Sequence, residues 1–139
     1  VRREAKAVAR AHRREILICD GSPGIGCPVI ASITGAHMVV IVTEPTRSGQ
    51  HDLERVVELC RQFRVKTGVC VNKANINPAI AGEIEADAVR WGAFLLGRVR
   101  YDESVTAAQV RRLAVVEDDT SPAAADIRAL WERVKHAMA

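Results

Sequence analysis

Four short runs of aliphatic residues, each followed by turn residues, most constrain what this chain can fold into. The runs are Ile16–Asp20, Met38–Thr43, "TGVCVNK" at 67–73 and "AFLLGRV" at 93–99. They are apolar throughout rather than alternating, which is typical of parallel strands covered on both faces. Amphipathic segments of helical length separate them, so we expect an α/β fold with one parallel sheet flanked by helices. The length of 139 residues predicts a single domain, 1–139.

Capping residues and apolar spacing predict the helices. They are residues 1–15, a short helix within Ile25–Thr34 with Pro28 in its first turn, Gly49–Phe63 capped by Ser48, 78–91 capped by Asn77 and stopped at Gly92, a helical turn at Ser104–Gln109, and a last helix opened by Ser121 and Pro122. The first is basic, which fits either a solvated helix face or contact with nucleic acid or an acidic partner. The last fits a cover for the sheet or, alternatively, a membrane-binding helix.

Composition excludes several classes of protein. The net charge is +3, which is too small to indicate nucleic-acid binding by itself. No apolar run approaches the roughly 20 residues that a membrane span needs, so we expect neither nucleic acid nor a membrane as partner. The four cysteines form no C-x-x-C pair, which argues against a zinc or cluster site within the chain. We expect a reduced, cytoplasmic location, with Cys19 and Cys70 acting as small apolar residues inside their strands.

Polar residues follow every predicted strand, at the edge where open parallel sheets bind their ligands. After the first strand, Asp20 could hold Mg²⁺ through water or orient a water that attacks a phosphoryl group. Gly21 and Gly24 would let the backbone approach a phosphate. An aspartate that satisfies backbone N–H groups in a tight turn explains the same residues equally well.

The third strand ends in "VNKAN", and its first asparagine is a candidate for base recognition. The amide of Asn72 can both donate to and accept from a purine edge. The guanine signature N-K-x-D would need aspartate where this chain has Asn75, so the pattern favours adenine over guanine. The alternative is an asparagine-rich loop that leads to the Asn77 cap.

Taken in order, these motifs resemble a known family. The runs "DGSPGIGCPVIASITGA", "VVIVTEPTRSGQHDLERV", "VNK" and "LGRVRYDESV" are similar to the C-terminal half of MinD/ParA-type P-loop ATPases. The branch that matches best carries an inserted ferredoxin-like domain with iron–sulfur clusters. The resemblance implies an incomplete P-loop NTPase or Rossmann-like fold.

The resemblance also assigns roles to single residues. Asp20, Gly21 and Gly24 match the D-x-P-P-G switch loop that senses the γ-phosphate and Mg²⁺, so Asp20 is the candidate catalytic and magnesium-binding residue. Asn72 matches the adenine-reading asparagine. The remaining candidate nucleotide-binding residues, from the strand ends and the late loop, are Glu44, Lys73, Tyr101 and Asp102. Ser22 and Arg100 each replace a proline of the family's pattern.

The family's glycine-rich phosphate loop, G-K-G-G-x-G-K-T, has no counterpart in these 139 residues. We therefore expect the chain to be a fragment of a larger ATPase, or a product that lost its catalytic half, and to be inactive alone. ATP and Mg²⁺ would be cofactors of the complete protein and would not bind tightly to this chain. A homodimer and an iron–sulfur or redox protein are the implied partners. The alternative function is a non-catalytic α/β protein-interaction module.

The missing loop has a consequence for the sheet. In the family, the strand that carries this loop lies between the strands matching Ile16–Asp20 and Met38–Thr43. Without it, both would keep unpaired backbone groups, which are costly when buried. We therefore expect these two strands to pair directly as parallel neighbours.

Overall fold

The computed structural model describes residues 2–117 and 120–139. In chain order its elements are α1 (Arg2–Ala11), α2 (Cys27–Ile33), β1 (Met38–Thr43), α3 (Arg47–Gln62), β2 (Lys66–Asn72), α4 (Pro78–Arg90), β3 (Phe94–Val99), α5 (Glu103–Val110), a 3₁₀ turn (Val115–Glu117) and α6 (Pro122–Met138). The predicted helices are present, with small shifts at the ends of all but the first. That helix ends at Ala11 rather than at residue 15, and Val1, where it was predicted to begin, lies outside the described residues.

The sheet is parallel with strand order β1-β2-β3, which confirms the predicted fold class. One face packs on α3 and α4 through a core that includes Leu53, Val69 and Ile84. The other face packs on α6, where Val134 meets Cys70 and Leu96. Helices therefore lie on both sides, as continuous aliphatic strands require.

Helix caps explain where most helices begin. The side chains of Asn77 and Ser121 accept hydrogen bonds from the third residue beyond each, with a proline at the first helical position, as predicted. The predicted Ser48 cap was wrong, because Thr46 caps α3 by accepting from the Gly49 N–H at 2.9 Å. The earlier start brings Gly49 against the end of β1, where an added Cβ would lie 2.6 Å from the Glu44 carbonyl oxygen.

The prediction of a buried first strand was wrong. Residues 16–20 belong to no helix or strand, and Ile18 is 76% exposed. Cys19 is likewise exposed rather than part of a core. The predicted pairing with Met38–Thr43 is also absent, since β1 pairs only with β2 within the described part of the chain. A strand needs a ladder partner, and residues 16–20 pair with none of the strands in the described part of the chain.

Burial on both faces holds for β2 but not for the edge strands. Residues 67–71 are all buried, whereas Val40 and Val42 of β1 are 40% and 59% exposed. These two valines lie on the same side of the sheet as α6, whose core cluster includes Met38 at the start of β1 but neither valine. The sheet therefore has an uncovered apolar border along β1.

Candidate functional site

The parallel strands bring three of the predicted loops to one edge of the sheet. Glu44 follows β1, Asn72 ends β2 and Lys73 follows it. The Lys73 ammonium lies 2.7 Å from a Glu44 carboxylate oxygen, so the structure joins two candidate nucleotide-binding residues across neighbouring strands. Both side chains are more than a third exposed. Such a pair contributes little to stability and can exchange its partner for a charged ligand.

Asn72 is half-buried at the end of the central strand. Its Oδ1 accepts a hydrogen bond from the Lys73 N–H at 3.0 Å, which fixes the orientation of the amide. Lys73 has a φ of 53°, a left-handed conformation that turns the chain sharply away from the sheet. Within the described residues the Nδ2 group of Asn72 has no partner. A held amide with an available donor suits contact with a ring nitrogen.

Asn75, which the sequence analysis used only as an argument against guanine, makes two hydrogen bonds in the structure. Its Oδ1 accepts from the Tyr101 N–H at 2.6 Å, and its Nδ2 donates to the Tyr101 carbonyl oxygen at 3.2 Å. This two-bond clip ties the loop after β2 to the loop after β3. Because both groups of the amide are engaged, Asn75 positions Tyr101 rather than offering its own amide to a base.

The loop after β3 holds Tyr101 and Asp102. Tyr101 is 50% exposed and borders a groove of about 470 Å³ along α5. Asp102 caps α5 by accepting from the Ser104 N–H at 2.8 Å. Hydrogen bonding to Ser104 holds the pKa of the Asp102 carboxyl below its usual range. The carboxylate therefore has a local structural use beside any contact with a ligand.

Arg100, where the family has proline, is anchored to the last helix. Its guanidinium donates to both carboxylate oxygens of Asp126 at 2.7 and 2.9 Å, and its backbone N–H donates to the same carboxylate at 3.1 Å. The Arg100 bonds lower the pKa of Asp126. This bidentate pair ties the loop after β3 to α6. Sequence reasoning missed Asp126, and its place on α6 gives no local signal for the contact.

The loop that begins at Asp20 precedes α2. The carboxylate of Asp20 is exposed and makes no hydrogen bond or ion pair with the described residues. Gly24 has a φ of 86°, a conformation that favours glycine. An added Cβ at Gly21 would lie 3.5 Å from the Ser32 hydroxyl, which places the loop beside α2. Residues 2–117 and 120–139 contain no cluster of three metal-ligating side chains.

The fold is similar to that of two solved MinD proteins. The MinD cell division protein of Aquifex aeolicus superimposes with a TM-score of 0.81 at 19% identity, over 96% of this chain and 58% of that chain. The cell division ATPase MinD of Pyrococcus furiosus superimposes with a TM-score of 0.76 at 15% identity, over 97% of this chain and 58% of its own length. The chain thus spans little more than half of either structure.

Two curated relatives come from Methanocaldococcus jannaschii. The uncharacterized protein MJ0578 is 33% identical over 69 residues, which are 50% of this chain and 25% of that protein. The uncharacterized protein MJ0579 is 30% identical over 74 residues, 53% of this chain and 28% of its own length. No family model matches the sequence. None of the helices within the described residues is long and apolar enough to cross a membrane.

Proposed function

We propose that this chain is an ATP-binding domain of the MinD/ParA type that lacks its glycine-rich phosphate loop and is inactive alone. The observation that carries the proposal is the meeting of Glu44, Asn72 and Lys73 at the carboxyl edge of a MinD-like sheet. In open α/β sheets this edge is where ligands bind. Tyr101, held by the Asn75 clip, extends the same surface.

Each residue has a distinct part in this proposal. The Nδ2 group of Asn72 donates to a ring nitrogen of adenine, and Tyr101 lies against the base. Lys73 leaves Glu44 to neutralise a phosphate oxygen. In the complete protein Asp20 would hold Mg²⁺ through water, and the ion would supply charge neutralisation at the phosphates. Gly21 and Gly24 keep the loop open to close approach.

We expect inactivity because the chain has too few hydrogen-bond donors and cations to hold the phosphates. A glycine-rich loop holds phosphates with several backbone N–H groups and a lysine. Lys73 starts from an ion pair and Asp20 is negative, so these residues do not replace that cradle. We therefore propose that ATP, Mg²⁺ and a homodimer belong to the complete protein. We further propose a cytoplasmic protein of the branch with a ferredoxin-like insert, whose partner is an iron–sulfur or redox protein.

Phosphate release with Mg-ATP tests the proposal. We expect the wild-type chain and Asp20→Ala to be equal to each other and to a blank without protein. Turnover that exceeds the blank and is lost in Asp20→Ala would show that the chain holds the phosphates without a glycine-rich loop and is not inactive alone.

A second candidate is a non-catalytic protein-interaction module. It is favoured by the structural uses of several candidate residues, since Asp102 caps a helix and Asn75 ties two loops. The two functions differ in a simple respect. An interaction module would show no preference among nucleotides, whereas the proposed domain prefers adenine.

A further inference from the structure

A groove of about 420 Å³ lies between the beginning of β3 and the C-terminal half of α6. Apolar atoms of Phe94, Leu95, Leu96 and Ala137 line it, and Arg133 and His136 bring polar side chains to it. The candidate nucleotide-binding residues follow the carboxyl ends of the strands, so this groove lies at the opposite end of β3 and does not depend on the proposed function. Its volume is within the range of sites that hold small molecules.

Arg133 is held in a fixed position over β3. Its Nη1 donates to the Leu96 carbonyl oxygen at 2.8 Å. Leu96 is skipped in the register between β2 and β3, and the next residue, Gly97, takes a φ of 122°. A Cβ at Gly97 would collide with Arg133 Nη1. Glycine at this position therefore makes the room that the guanidinium occupies.

The other side of this guanidinium is available to a ligand. The Nε and Nη2 groups of Arg133 make no hydrogen bond or ion pair with the described residues. Two N–H groups on one side of a planar guanidinium match the two oxygens of a carboxylate. The neighbouring Glu132 does not take this place, since its carboxylate lies 2.8 Å from the Lys135 ammonium.

A second cation adds to the positive charge at the groove. The Lys66 ammonium donates to the Ala137 carbonyl oxygen and lies 5.8 Å from the centroid of the Phe94 ring. Both of these contacted residues line the groove. The groove thus combines an apolar lining with two positioned cations, and its one carboxylate, that of Glu132, is already paired. Such a surface is complementary to an anion with an apolar body.

We propose that this groove binds a small organic carboxylate. The carboxylate accepts from the Nε and Nη2 groups of Arg133, and its aliphatic or aromatic body lies against Phe94 and Ala137. The polar contact sets the orientation, and burial of the apolar body adds affinity. An extended peptide does not suit the same place, because the bulge at Leu96 and the Arg133 bond interrupt the edge along which a strand would add.

An NMR titration of the labelled chain with 4-phenylbutyrate tests the proposal. We expect the probe to shift the amide signal of Gly97 and the Nε–H signal of Arg133. The neutral 4-phenylbutyramide has the same shape without the charge and should bind about tenfold more weakly or worse. Acetate, which has the charge without the apolar body, should also bind more weakly. Equal affinity for the acid and the amide would overturn the proposal.

Two variants separate loss of binding from loss of folding. Arg133→Met removes the guanidinium and should raise the dissociation constant of 4-phenylbutyrate about tenfold or more. Ala137→Glu leaves Arg133 in place and introduces a carboxylate four residues later on the same helix face, where it competes for the guanidinium and should weaken the probe similarly. Arg55→Met is the matched control, because Arg55 is an exposed arginine of α3, on the other face of the sheet, and it should leave binding unchanged. Circular dichroism checks that each variant folds.

The remaining outcomes also decide the matter. Unchanged binding of 4-phenylbutyrate in both groove variants would overturn the proposal, as would the absence of shifts at Gly97 and Arg133 at every soluble concentration of the probe. A peptide of alternating glutamate and leucine that shifts these signals where 4-phenylbutyrate does not would overturn it in favour of a protein partner.

Discussion

The Asn75 clip gives the sharpest prediction about the site. Its two hydrogen bonds to the backbone of Tyr101, at 2.6 and 3.2 Å, join the loops after β2 and β3. A hydrogen bond of this kind contributes about 0.5–1.5 kcal/mol net. Asn75 is exposed, so water replaces part of what is lost. We expect Asn75→Ala to lower the free energy of unfolding by about 1–2 kcal/mol.

Replacement by aspartate separates the two bonds. Asn75→Asp completes the guanine signature N-K-x-D and keeps an acceptor for the Tyr101 N–H. It also places a carboxylate oxygen against the Tyr101 carbonyl oxygen, where the amide had donated. We expect this variant to be destabilised by about 1 kcal/mol despite its equal size, because the donor is gone and two acceptors face each other.

Urea unfolding followed by circular dichroism measures both effects. A loss of 1–2 kcal/mol corresponds to a midpoint shift of roughly 0.5–1 M for a small domain. Gln109→Ala is the matched control, because it removes an exposed amide from α5. If Asn75→Ala and Gln109→Ala differ by less than about 0.5 kcal/mol, the clip does not hold the loop and our account of Asn75 is wrong.

Three further predictions concern the scaffold. Gly49→Ala should destabilise the chain by about 1–3 kcal/mol, because its Cβ would meet the Glu44 carbonyl oxygen. Gly82→Ala in α4 is the control, since the atom nearest to its Cβ would be 3.9 Å away, and it should be neutral or stabilising. Equal effects of the two substitutions in thermal melts would contradict the prediction. Asp126→Asn should lower the free energy of unfolding by about 1 kcal/mol at neutral pH. Because Arg100 lowers the folded-state pKa of Asp126, this stabilisation is present above the unfolded pKa of about 3.9 and is lost as the pH falls below it. A difference in stability between variant and wild type that persists at the lowest pH would refute the prediction. In thiol titration, the exposed Cys27 should react at once, whereas the buried Cys60 and Cys70 should react only after unfolding. Burial raises the pKa of the Cys60 thiol and raises the pKa of the Cys70 thiol to about 11. Labelling of either buried thiol in the folded chain at the rate of Cys27 would be inconsistent with this burial.

The sequence predicted the elements that have local signals. Asn77 and Ser121 cap their helices as expected, because an acceptor side chain before proline satisfies helical N–H groups whatever lies nearby. Choosing between Thr46 and Ser48 was beyond local reasoning. Both can cap, and the packing of Gly49 against the end of β1 decided for Thr46.

Local sequence signals could not predict the elements whose structure depends on partners remote in the sequence. Residues 16–20 have the same pattern as the true strands, yet strand formation needs a neighbour, and none is present in the described chain. The candidate site divides along the same line. Residues at strand ends were found from the sequence, including the Glu44 and Lys73 that meet there, whereas the Arg100–Asp126 link joins positions 26 residues apart and has no local pattern.

The central claim is that the carboxyl edge of the sheet is an adenine-nucleotide surface. An NMR titration of the labelled chain tests it most directly, because it detects the weak binding that a domain without a phosphate loop should show. We predict that Mg-ATP at millimolar concentration shifts the amide signals of Lys73 and Tyr101, that Mg-GTP shifts them less, and that Asn72→Ala abolishes the difference while Gln109→Ala preserves it. Equal shifts with the two nucleotides, or no shift at these strand ends with either, would contradict the account.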